Sequence, residues 1–124
     1  MNGFLVDTNV ISEILRPAPD ANVAAWSQRQ GKASLFLSVV SMGELRKGVT
    51  LLPPSARRTQ LEQSIEAQVP LWFQSRILSV TQVIAERWGE LDGIRQLAGR
   101  PLNTPDGMIA ATALEHDLTL VSRR

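Results

Sequence analysis

The 124-residue chain contains no cysteine and a single histidine, His116. Disulfides and thiolate metal sites are therefore excluded, and any metal must be held by oxygen or by that one imidazole. The same absence fits a reducing compartment. A large excess of either charge is missing too: 13 Lys and Arg against 12 Asp and Glu leave a net charge of +1. That balance excludes a protein that holds nucleic acid by bulk charge alone, so a nucleic-acid partner would need a local site. No apolar run approaches the roughly 20 residues of a bilayer-spanning helix. At the amino terminus Asp7 interrupts the apolar stretch after three residues, so no signal peptide is predicted. The expectation is a soluble, cytoplasmic protein. Low-complexity tracts are absent, and no Gly-rich phosphate loop follows any apolar run, which argues against a nucleotide-binding module.

What remains is ordinary globular usage, 44% hydrophobic and 20% charged, at a length that fits one domain spanning residues 1–124. Phe4-Leu5-Val6 reads as a short buried strand, and Val10, Ile11, Ile14 and Leu15 recur at helical spacing until Pro17. Asn22 is predicted to cap a second helix that Gly31 ends, before a strand at Leu35-Phe36-Leu37. Ser41 is predicted to open the next helix, and Ser55 a long one that ends near Pro70. A strand at Ile77–Val80 follows. The stripe Ile84, Trp88, Leu91, Ile94 and Leu97 then predicts a helix from Thr81. Thr104-Pro105 starts the last helix, before a strand at Leu118–Val121. Alternation of short apolar strands with helices predicts an α/β fold, three layers α/β/α with a mainly parallel central sheet.

In such sheets functional groups gather beyond the carboxyl ends of the strands. Three acids stand at such exits: Asp7 after the first strand, Glu44 in the helix after the second, and Asp106 at the start of the helix before the last. Each has a plain alternative. Asp7 can be an N-cap, Ser41-Met42-Gly43-Glu44 has the form of a capping box, and Asp106 can stabilise a helix dipole. Together they point elsewhere, because carboxylates about 4–6 Å apart repel by up to about 4 kcal/mol per pair at an effective dielectric of 20. A divalent cation removes that repulsion, and oxygen ligands favour Mg²⁺ or Mn²⁺.

Thr8, Asn9, Ser38, Ser41 and Thr104 are short hydrogen-bonding residues beside these acids, suited to fixing carboxylate rotamers. Thr8 and Asn9 are expected to turn the chain into the first helix, leaving Asp7 to face the metal. Glu13, Glu62, Glu66, Glu86, Glu90 and Asp92 are assigned to solvated helix faces, and Asp117 to the wrong end of the last strand. Arg16, Arg46 and Lys47 are candidate phosphate contacts, with Arg57 and Arg58 further off. Trp26, Trp72, Phe73, Leu51 and Leu52 are candidates for partner contacts.

Three blocks, LVDTNVISE (Leu5 to Glu13), LSVVSMGELRKGV (Leu37 to Val49) and TPDGMIAATALEHDLTLVSRR (Thr104 to Arg124), resemble the signatures of PIN-domain proteins, specifically bacterial VapC-type and FitB-like toxins. The resemblance implies a Mg²⁺- or Mn²⁺-dependent endoribonuclease, the toxin of a toxin–antitoxin pair, with Asp7, Glu44 and Asp106 as catalytic and metal-binding acids. It also implies a homodimer restrained by a small VapB-like antitoxin. The family's fourth acidic or amide position falls here on Arg124, and the family's usual further strand or helix implies a short C-terminal tail missing from this sequence. Two other readings fit the residues alone: a catalytically silent partner- or nucleic-acid-binding domain, and an aspartyl-phosphate phosphatase using Asp7. The second would want another acid two residues on, where Asn9 stands.

Overall fold

The structure, a computed structural model, describes residues 2–122. Four strands, β1 (Phe4–Val6), β2 (Leu35–Ser38), β3 (Ile77–Leu78) and β4 (Thr119–Val121), form one sheet in the order β3-β2-β1-β4. Every pairing is parallel; β1 aligns Val6 with Leu37 on one side and with Val121 on the other. Strands covered on both faces are apolar throughout, and Leu5, Val6, Leu35 and Leu37 are at most 1% exposed.

Alternate residues serve opposite layers. Val6, Leu35 and Leu37 pack with Val10 and Ile11 of α1 (Thr8–Ile14), Leu45 and Val49 of α3 (Val39–Thr50), and Val69 and Phe73 of α5 (Val69–Phe73). Leu5 faces the other way, onto Ile109 and Ala113 of α7 (Thr104–Glu115). Helix α6 (Gln82–Leu97) packs along α7. Connection handedness explains the division. The chain steps outward from β1 to β2 to β3, then reverses to place β4 on the far side of β1, and right-handed crossovers in opposite directions put their helices on opposite faces. The reversal makes the carboxyl end of β1 the switch point of the sheet.

Several boundaries differ from those expected. β3 stops at Leu78 because it is an edge strand that meets only Leu37 and Ser38 of β2. β4 begins at Thr119, since the Leu118 N–H is bonded at 2.9 Å to the Ala113 carbonyl at the end of α7. Helix α2 (Ala21–Gln30) is capped by Asp20, whose Oδ1 accepts from the N–H groups of Asn22 and Val23; Asn22 is inside the helix. Helix α3 starts at Val39, two residues before Ser41, with Ser38 as its cap.

The expected long helix ending near Pro70 is instead α4 (Ala56–Gln63), a π-turn over Ser64–Gln68, and α5 running through Pro70. Proline lacks an N–H and crowds the carbonyl four residues back, and a wider turn before it relieves both. The α6 stripe is buried only in its first half: Ile84 is fully buried, whereas Ile94 and Leu97 are 58% and 91% exposed. Gly3, at φ 105°, brings β1 so close to its neighbour that a Cβ there would lie 2.6 Å from the Ser34 carbonyl oxygen.

Candidate metal centre

Asp7 continues β1 for one residue, its N–H donating to the Val121 carbonyl at 3.0 Å. Its own Oδ1 accepts from the N–H groups of Asn9 (2.8 Å) and Val10 (3.3 Å). Asp7 is thus the N-cap of α1, which corrects the expectation that Thr8 and Asn9 relieve it of that task. Both cap bonds fall on Oδ1, so the cap engages one oxygen of a carboxylate that stands at the switch point.

Glu44 lies in the second turn of α3, because that helix begins at Val39. The expected Ser41–Glu44 capping box therefore does not form. Instead the Thr8 hydroxyl is 2.5 Å from Glu44 Oε1 and 2.9 Å from Ser41 Oγ. An ionised carboxylate only accepts, so Thr8 gives its proton to Glu44 and receives one from Ser41. Ser41 and Glu44, three residues apart, share a face of α3, and that face meets the residue directly after Asp7.

Asp106 is in the first turn of α7. The cap is Asn103, with Thr104 already helical; Asn103 Oδ1 accepts from the Asp106 N–H and Asn103 Nδ2 donates to Asp106 Oδ2, both at 2.9 Å. A helix before a parallel strand runs antiparallel to it, so this first turn lies at the same sheet edge as Asp7. His116 ends α7 at the opposite edge, exposed, near Asp117. The imidazole is thereby excluded from the acids' neighbourhood, and the donor set there is oxygen alone. Among the described residues, no three His, Asp or Glu side chains converge to the reach of one ion. The donor chemistry fits a hard divalent cation; the three acids surround the edge without closing on a point.

Of the expected supports, Thr8 and Ser41 reach Glu44. Ser38 is buried and spends its hydroxyl on the Val40 N–H at 3.0 Å. Asn9 bonds Asp7 through its backbone, and Thr104 is exposed as the first residue of α7. Asn103 was missed, although the N-x-x-D spacing up to Asp106 is itself a reciprocal-cap pattern. Glu13, assigned to a solvated face, is 5% exposed and lies 3.7 Å from the Arg16 guanidinium; its spacing of three from Val10 puts it on the buried stripe of α1. Arg124, where the family's fourth position falls, lies outside the described residues.

The basic candidates separate. Arg46 is two residues from Glu44, about 200° round the helix, and pairs with Glu66 (3.1 Å) and Glu62 (3.7 Å). It points away from the acids. Arg58 bonds the Leu52 carbonyl and Glu62. Arg16 lies beyond the carboxyl end of α1, the opposite end of that helix from Thr8. Lys47 is exposed and, three residues after Glu44, on the adjoining face.

A cleft of about 670 Å³ between α1, α2 and α5 is lined by Ile11, Leu15, Trp72 and Phe73, with Arg16 and Lys32, and by none of the three acids. Phe73, a candidate for partner contact, is core at 1% exposed; Trp26 packs edge-on to Phe4 at 5.3 Å; Leu51 is 75% exposed. Among the described residues no helix is long and apolar enough to cross a membrane.

The PIN domain family matches residues 4–123. Toxin FitB of Neisseria gonorrhoeae is 36% identical over 120 residues, covering 97% of this chain and 86% of that protein. VapC ribonuclease Y4jK of Sinorhizobium fredii is 33% identical over the same shares. The crystal structure of FitAcB from Neisseria gonorrhoeae superposes with a TM-score of 0.87 at 36% identity, covering 98% of this chain and 87% of that one. With the fold and these relatives in agreement, the chain belongs to the PIN domain family.

Proposed function

We propose that the protein is a metal-dependent endoribonuclease, the toxin of a toxin–antitoxin pair, with Asp7, Glu44 and Asp106 as the ligands of Mg²⁺ or Mn²⁺. The observation that carries this reading is the link from Asp7 through Thr8 to Glu44 at the switch point of a parallel sheet, the edge that the first turn of α7 also reaches. Support comes from family membership and from relatives named as a toxin and as a VapC ribonuclease.

When bound, the ion supplies charge neutralisation at a phosphodiester and a water of lowered pKa. The chain's own residues prepare the place. Asp7 is oriented by two backbone N–H groups, Glu44 by the Thr8 hydroxyl and Asp106 by the Asn103 amide. These contacts orient the three carboxylates that would hold the ion. Lys47 is the phosphate contact best placed beside them, ahead of Arg16 and Arg46, which stand in ion pairs with glutamates.

A cytoplasmic ribonuclease that attacks its own cell's RNA requires restraint. The proposed partners are a small VapB-like antitoxin and a second copy of the chain, with the exposed Leu51 and Leu71 (75% and 71%) as apolar contact surface. The test is cleavage of RNA with and without Mg²⁺ or Mn²⁺, using Asp7→Asn. Asparagine caps a helix as well as aspartate, so the variant is expected to fold and to lose cleavage. Cleavage that survives this change overturns the assignment, and a folded wild-type chain that cleaves no RNA with either ion favours a silent binding domain.

A further inference from the structure

Gly107 follows Asp106 in the first turn of α7 and is buried. A Cβ built there would stand 2.8 Å from Trp88 Cδ1 and 2.9 Å from Trp88 Nε1, closer than side-chain carbons approach other atoms. Trp88 lies one turn beyond the fully buried Ile84 on α6. The five-membered edge of its indole therefore sits in the notch that the absent side chain leaves. Gly89 and Gly93, also on α6, meet nothing within 4 Å.

The Trp88 N–H is buried and has no hydrogen-bond partner among the described residues. A hydrogen bond therefore does not place the ring; packing does, against a cost of about 1–3 kcal/mol for the unmet donor. The turn carrying Asp106 is thus held twice, by the Asn103 side chain at its start and by the indole pressed on the next residue.

We infer that Trp88 is a positioning residue for the acidic site: its indole, seated against Gly107, fixes the first turn of α7 and with it the placement of Asp106 at the sheet edge. The inference rests on the metal-site reading above. It acts through backbone placement, so its signature is ion affinity lost out of proportion to stability.

The test measures Mn²⁺ dissociation constants by electron paramagnetic resonance of the free ion, on the full chain well below its melting temperature. Gly107→Ala and Trp88→Leu are each expected to weaken Mn²⁺ binding about tenfold, the lower end of outer-shell effects on metal affinity. Their combination is expected within about threefold of the weaker single variant, since both disturb one contact. Trp88→Phe keeps a ring in the notch and loses no hydrogen bond; it should bind within about threefold of wild type. Val69→Ala, a cavity in the remote α5 side of the core, should lose stability with Mn²⁺ affinity unchanged. If Asp106→Asn weakens binding while Gly107→Ala and Trp88→Leu do not, or if Val69→Ala weakens it equally, the positioning role is overturned alone. If Asp106→Asn has no effect, or wild type binds no Mn²⁺, the site reading falls and this inference with it.

Discussion

Replacing Thr8 by valine removes one hydroxyl and keeps the side-chain shape, and two groups register the loss. Glu44 loses a donor to Oε1 and the fully buried Ser41 loses its 2.9 Å partner. A hydrogen bond to a charged group contributes about 1.5–3 kcal/mol, which the partly exposed position of Glu44 reduces to about 1, and the stranded Ser41 hydroxyl costs about 1 more. The expected loss is therefore about 2 kcal/mol. With an unfolding entropy of about 2.1 cal/mol/K per residue, 124 residues give about 0.26 kcal/mol/K, so melting falls by about 8 °C. The same change unlocks the Glu44 rotamer, and Mn²⁺ affinity should fall about tenfold. Thermal melts by circular dichroism and a Mn²⁺ titration read both effects, with Thr8→Ser as the discriminating variant because it restores the hydroxyl without the methyl. A Thr8→Val protein that matches wild type in both measurements rules out this role for the hydroxyl, as does a Thr8→Ser protein damaged as badly as Thr8→Val, since the methyl and not the hydroxyl would then matter.

Asn103→Ala removes the cap of α7 and the donor to Asp106 together; it should cost about 1 kcal/mol in denaturant melts and weaken Mn²⁺ binding, whereas Asn103→Asp should restore the cap but not the donor. Lys47→Ala is expected to weaken RNA binding and to flatten its salt dependence by about one unit of slope, while Arg46→Ala, held in ion pairs with Glu62 and Glu66, leaves that slope unchanged. Gly3→Ala forces a β-carbon at positive φ against the Ser34 carbonyl; backbone strain alone predicts a loss of about 1–3 kcal/mol by urea unfolding.

The layer architecture was legible because its signal is redundant. Leu5-Val6 and Leu35-Phe36-Leu37 are apolar on both faces, as only a covered parallel strand needs to be, and the helical stripes between them set the connections. Helix starts were not legible at the same precision. Ser38, Asp20 and Asn103 each precede another good cap by one to three residues, at Ser41, Asn22 and Thr104; for α3 the choice depends on where β2 lets go of its ladder, and α2 and α7, which follow loops, give no such cue. The π-turn before Pro70 is likewise a packing solution, which holds Ile65 and Val69 in the core (4% and 2% exposed).

For the site, the acids could be found from strand ends because topology places such ends together. Their partners could not. Thr8 touches Glu44 across 36 residues of chain, and Trp88 meets Gly107 only because α6 and α7 pack closely. The basic candidates could not be ranked for a related reason: proximity in sequence to an acid says nothing about helix face, and two residues on a helix separate Arg46 from Glu44 by more than half a turn.

The metal centre is tested most directly in a crystal of the chain soaked in Mn²⁺ and measured at the manganese absorption edge. An anomalous peak is expected at the carboxyl end of β1 with oxygen atoms of Asp7, Glu44 and Asp106 in its coordination sphere, and none in crystals of Asp7→Asn. A peak at other residues, or carboxylates that remain apart in a crystal saturated with the ion, contradicts this assignment.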